Sequence, residues 1–113
     1  MKGGIYLIPS QMLKGTLEGC ILKVIDAKET YGYEISETLK FYGFDDISEG
    51  TIYPMLLRLE KNGLISARKL DSPVGPKRKY FSLTDNGKNE LNNFIDNWNE
   101  LSNAVNTLFE RDV

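Results

Sequence analysis

The sequence predicts a mainly α fold with a small β-hairpin, and three observations carry that prediction. Apolar residues recur at helical spacing from Gln11 onward. The period turns extended on either side of Ser-Pro-Val-Gly-Pro-Lys (residues 72–77), and a final helical stripe then runs on for more than twenty residues. A chain of 113 residues, 41% hydrophobic and 11% aromatic, supports one modest core and is too short for two.

Each element has its own justification. Residues 1–9, with two glycines and a proline, read as an irregular arm. Leu13, Leu17, Ile21 and Val24 predict a first helix from Gln11 to Lys28, widened by Cys20 and Ile25, with Ser10 as a candidate cap. Gly15 and Gly19 lie on one flank of it, which suggests close approach of a partner backbone. A second helix from about Tyr33 to Tyr42 places Ile35, Leu39 and Tyr42 on one side. Ser48 opens a third, with Ile52, Leu56 and Leu59 inward, Met55 beside them, and Gly63 as its stop. Pro54 leaves two starts open for that helix, at Ser48 or nearer Thr51.

Leu64–Asp71 and Arg78–Thr84 predict the two hairpin strands. Thr84 is a good cap for the last helix, which is expected to reach about Arg111. Helix, helix, helix, two-stranded wing and long helix together read most economically as a winged helix-turn-helix plus a long C-terminal dimerisation helix. Residues 1–84 would form the winged region, and residues 85–113 a helix integral to the same domain.

Composition excludes several chemistries. One cysteine makes no internal disulfide, and the lack of histidine removes the usual zinc clusters and any histidine-based triad. Asp45, Asp46 and Ser48 form no recognisable base–nucleophile set. No apolar run reaches membrane-spanning length, and MKGGIYLIPSQ stops at Pro9 before a signal sequence develops. A cytoplasmic protein is expected, not an enzyme, with no cofactor, metal or membrane partner.

Net charge is −2, yet its distribution is uneven. Residues 51–80 hold seven Lys/Arg (Arg58, Lys61, Arg68, Lys69, Lys77, Arg78, Lys79) against Glu60 and Asp71, while the flanking segments are acidic. Such a segment is either a solvated hairpin or the electrostatic footprint of a nucleic-acid site. On the third helix, Ser48, Thr51, Tyr53, Arg58 and Lys61 are candidates for exposed or flanking positions, its amino end offering hydroxyls and free amides to phosphate. Ser48 as a plain cap and Tyr53 as half-buried packing are the alternatives. In the wing, strand alternation separates Arg78 from Lys79, so Lys77 and Arg78 are the preferred contacts.

In the last helix Leu91, Phe94, Trp98, Leu101, Val105 and Leu108 follow heptad spacing, broadened by Ile95 and Phe109. A helix this long outreaches a small domain and calls for a second copy to cover it; folding back on its own core is the alternative. Trp98, mid-stripe, either flanks a slot for aromatic ligands or fills the interface.

Three segments, GYEISETL (residues 32–39), EGTIYPMLLRLEKNGLI (residues 49–65) and GPKRKYFSLTDNG (residues 75–87), resemble the PadR family of winged-helix transcriptional repressors. The single C-terminal helix is similar to the family's small subgroup, which includes multidrug-sensing repressors. The resemblance implies DNA contact by Tyr33, Ser48, Thr51, Tyr53, Arg58, Lys61, Lys77 and Arg78. It also implies pairing through the last helix, and an effector site lined by Met12, Leu13 and Trp98. Glu49, where many members carry proline, and Tyr31, where histidine is common, are departures that leave the operator open. The expected function is a homodimeric repressor that binds an inverted-repeat operator and is released by a small aromatic effector. A winged module that binds another protein is the alternative.

Overall fold

Where the apolar stripe predicts one helix, the computed structural model has two, α1 (Ser10–Leu13) and α2 (Leu17–Ala27). Gly15 adopts φ +90°, a left-handed conformation that L side chains rarely take, and the Thr16 hydroxyl donates to the Leu13 carbonyl at 2.9 Å. Ser10 is therefore the first helical residue rather than a cap, and Pro9 stands at the cap position. The structure describes residues 8–45 and 47–111, so the expected arm lies, up to Leu7, outside the described residues.

The chain continues through β1 (Thr30–Tyr31), α3 (Gly32–Phe41), α4 (Glu49–Lys61), β2 (Ile65–Leu70), β3 (Arg78–Leu83) and α5 (Asp85–Glu110). Helices α3 and α4 end alike. Gly43 and Gly63, at φ +108° and +76°, let Phe44 and Leu64 donate back to the carbonyls of Leu39 and Leu59, each at 3.0 Å. This early ending corrects the expectation for Tyr42. It sits at the C-cap of α3, 73% exposed, its ring edge-on to Phe41 at 5.1 Å.

Helix α4 starts directly after Ser48, whose carbonyl accepts from the amides of Thr51 and Ile52 at 3.0 and 3.1 Å. Pro54 is accommodated inside it, deleting only the bond its missing N–H would have made to Gly50. Ile52, Leu56 and Leu59 are buried against Ile35 and Leu39 of α3 and Ile21, Leu22 and Ile25 of α2.

The wing is a three-stranded sheet, ordered β1-β3-β2, rather than a hairpin alone. All pairs are antiparallel, with Ile65 opposite Leu83 and Leu70 opposite Arg78 in the hairpin, and Tyr31 opposite Tyr80 on the far edge. Thr84 caps α5 as expected: its hydroxyl accepts from the Gly87 amide at 3.0 Å and donates to the Gly63 carbonyl at 2.6 Å. That anchors the helix to the end of α4.

The first turns of α5 pack on α2, where Gly19 faces the Phe94 ring. The expected close neighbour of Gly19 is thus a side chain and not a backbone. This corrects the start of the expected pairing stripe: Leu91 is buried in the chain's own core and Phe94 packs on α2, while beyond Leu91 no described residue of α5 is buried. A radius of gyration of 16.2 Å, against about 13 Å for a compact domain of this length, reflects this projecting helix.

Candidate nucleic-acid interface

The amino end of α4 and the returning wing strand β3 meet α3 at a groove of about 490 Å³. It is lined by Tyr31, Gly32, Tyr33, Glu49, Tyr53, Leu56, Arg78, Lys79 and Phe81. Three of the expected residues, Tyr33, Tyr53 and Arg78, are brought together here. Tyr33 and Tyr53 are about half exposed, which for Tyr53 is compatible with half-buried packing as well as with contact across the groove.

Ser48 and Thr51 lie at the open end of α4, both exposed. The Ser48 hydroxyl caps no amide and lies 3.4 Å from the Thr51 hydroxyl. Both remain available to an incoming phosphate, beside the positive end of the helix dipole. Thr51 and Arg58 turn toward a separate hollow that also contains Leu13 and Met55. Lys61 is exposed at the opposite end of α4, and Lys77 is exposed at the wing turn.

Ion pairing divides the basic segment. Arg58 pairs with Glu18 of α2, its Nε donating at 2.8 Å. Lys79 reaches Glu60 on α4 at 2.8 Å, which ties the wing to the helix. Arg68 makes two hydrogen bonds of 2.7 Å to Glu29, and the Ser82 hydroxyl donates to the same carboxylate at 3.3 Å. Those bonds from Arg68 hold the Glu29 carboxyl below the usual glutamate range. Among the described residues Arg78 has no carboxylate within ion-pair reach; its guanidinium lies 4.2 Å over the Tyr31 ring.

The residues expected to line an effector site are not gathered within one chain. Leu13 lines the hollow with Thr51, Met55 and Arg58, which includes neither Met12 nor Trp98. Met12 is 70% exposed on α1, and Trp98 is 46% exposed on the outer half of α5. A separate apolar cavity of about 650 Å³ between α2, α3 and α5 contains Cys20, whose thiol burial pushes up in pKa.

Neither Tyr80 nor Tyr31 is a site residue in the sequence reading: Tyr80 counts there only toward strand character, and Tyr31 only as a departure from a family pattern. A β-branched and an aromatic residue together, Thr30 and Tyr31 just before Gly32, are the signal that could have marked β1 as a strand edge facing the wing. The acidic partners Glu18, Glu29 and Glu60 lie far from their cations in the chain, where spacing rules have no reach.

The family described as Transcriptional regulator PadR-like matches residues 21–93. A PadR-like transcriptional regulator from Bacillus cereus is 49% identical and superposes with a TM-score of 0.83, covering 90% of this chain and 99% of its own. A Streptococcus transcriptional regulator is 48% identical at a TM-score of 0.80, covering 90% and 100%. Bacillus subtilis PadR, solved in complex with operator DNA, is 30% identical at a TM-score of 0.66 over 72% of this chain and 47% of its own.

Proposed function

Because the chain belongs to the PadR-like family of transcriptional regulators, we propose that it is a homodimeric repressor in which α4 and the wing grip operator DNA. One observation carries this reading: Tyr33 of α3, Tyr53 in the first half of α4 and Arg78 of the wing, which among the described residues has no carboxylate within ion-pair reach, line one groove. Tyrosine hydroxyls and a guanidinium on one surface, beside α4, are equipment for phosphate contact flanking a helix in the major groove. That the Bacillus subtilis relative was captured with operator DNA supports the same use of the matching segment.

The paired unit follows from α5. Trp98, Leu101, Val105 and Leu108 form a half-exposed apolar stripe beyond the last buried residue, and a second copy supplies the matching surface. Two α4 helices then address an inverted repeat with half-sites about 34 Å apart. An aromatic molecule held near Trp98, between the two long helices, would alter the spacing of the two heads and release DNA by linkage between sites. Met12 and Leu13 of α1 would border that site in the assembled dimer.

The test is a salt titration of binding to the region upstream of the protein's own gene. Affinity should fall steeply as salt rises, because neutralised phosphates release counterions. No shift of that DNA, together with salt-insensitive capture of a protein partner, would replace this reading with a protein-interaction module.

A further inference from the structure

We infer that Tyr31 is a positioning residue for DNA binding, holding the Arg78 guanidinium in place for a backbone phosphate. The inference rests on the reading above that the wing meets DNA. Its basis is a stack. Arg78 lies over the Tyr31 ring at 4.2 Å, and Tyr31 in turn stands against Tyr80, ring centres 5.2 Å apart and tilted by 57°.

The sheet builds this arrangement. Pairing of β1 with β3 sets Tyr31 opposite Tyr80, and alternation along β3 sends Arg78 and Tyr80 to the same face. Tyr31 is then the diagonal neighbour of Arg78, within reach of a long side chain. The two-residue strand β1 has no other cross-strand aromatic to offer.

The neighbouring cations show why a ring matters here. Arg58, Arg68 and Lys79 are each matched by a glutamate, which spends much of their field inside the molecule. Glu49 lines the same groove as Arg78, yet among the described residues no ion pair joins them. A tyrosine face attracts a cation through its quadrupole without cancelling its net charge. Arg78 is thus restrained and still fully positive toward solvent. A guanidinium over a ring also keeps its in-plane N–H groups for bidentate bonding to phosphate, and ordering it beforehand lowers the entropy lost on binding.

The experiment is a double-mutant cycle between Tyr31→Leu and Arg78→Ala, read by binding to a random-sequence duplex across a salt series, with Tyr31→Phe as the conservative variant. Tyr31→Leu should weaken binding about three- to tenfold in the wild-type background and have no effect once Arg78 is alanine. Tyr31→Phe, which keeps the ring, should bind within about twofold of wild type. Arg78→Ala alone should lower the salt slope by about one. If Arg78→Ala changes neither affinity nor slope, the wing reading fails and this inference with it. If Arg78→Ala acts as expected but Tyr31→Leu is silent, or equally harmful in both backgrounds, only the role of Tyr31 is overturned. The free protein gives an independent measure should the leucine variant not fold. In wild type the Arg78 δ-methylene protons should be shifted upfield by the ring current, and random-coil shifts there would refute the stack.

Discussion

The Phe94 ring of α5 occupies the space that a side chain at Gly19 of α2 would need. Glycine in a helix interior costs roughly 1 kcal/mol against alanine, so Gly19 gives up local propensity to let α5 lie close. Gly19→Ala should therefore destabilise despite better helix propensity, by about 1–2 kcal/mol net, because the half-buried ring must be displaced. Thermal unfolding measures this. Phe94→Leu in the same chain should recover part of the loss, and a variant as stable as wild type would mean that α5 does not cross α2 at this point.

A second prediction concerns acid. Arg68 holds the Glu29 carboxyl below its ordinary range, so the folded state binds the proton less readily than the unfolded chain. The stabilisation is complete above the unfolded value of about 4.3 and is lost as pH falls through the lower folded value. Exposure to solvent keeps the contribution small. A carboxyl NMR titration should place the Glu29 midpoint below that of free glutamate, and Arg68→Gln should raise it. An ordinary midpoint in wild type would remove the pair from the solution structure.

What the sequence made legible, and what it hid, divides by the range of the interaction. The buried face of α4, Ile52, Leu56 and Leu59, follows from the 3.6-residue period, a local property, and Thr84 as a cap needs only its neighbours. The break at Gly15 was masked because Leu13, Leu17 and Ile21 keep helical spacing across it, although φ +90° at one glycine interrupts the helix. Strand β1 is two residues long and has no period to detect; it exists because Tyr31 pairs with Tyr80, forty-nine residues on. The candidate site divides in the same way. Ser48, Thr51 and Lys77 are placed by local structure, whereas the difference between Arg58, tied to Glu18, and Arg78, resting on Tyr31, appears only when distant segments meet.

The wing itself is testable as a unit. Lys77→Ala with Arg78→Ala should weaken binding to specific and random duplexes alike, because phosphate contacts carry no sequence information. The salt slope should fall by about two, one for each lost cation. Unchanged affinity and slope would move the DNA-contacting surface away from the wing.

Assembly is tested at Leu101, 55% exposed in the middle of the unburied stripe. Leu101→Glu should put an unpaired charge into the proposed seam and shift the protein toward monomer or unfolded chain. Sedimentation at micromolar concentration decides between the outcomes. A folded wild-type monomer would defeat pairing altogether, while an intact dimer of the variant would reject only this seam.

Trp98 lies on the outer, unburied part of α5. It is the chain's one tryptophan, so its emission reports on that position alone. It is 46% exposed, which leaves part of the indole uncovered by its own chain, and it lies between Phe94, half-buried on α2, and Leu101, open to solvent. Across a two-fold axis two such indoles either close on each other or leave a slot between their faces. If the slot exists, a planar aromatic cation should quench Trp98 emission and release DNA over the same concentration range, since coupling between two sites is reciprocal. Trp98→Ala should then lose affinity for the ligand, about tenfold or more if the stack is desolvated. It should keep DNA binding provided sedimentation still shows a dimer. A panel of phenolic and cationic aromatics in which none both quenches and releases DNA would leave Trp98 as packing in the proposed seam, with the proposed DNA-binding face untouched by the result.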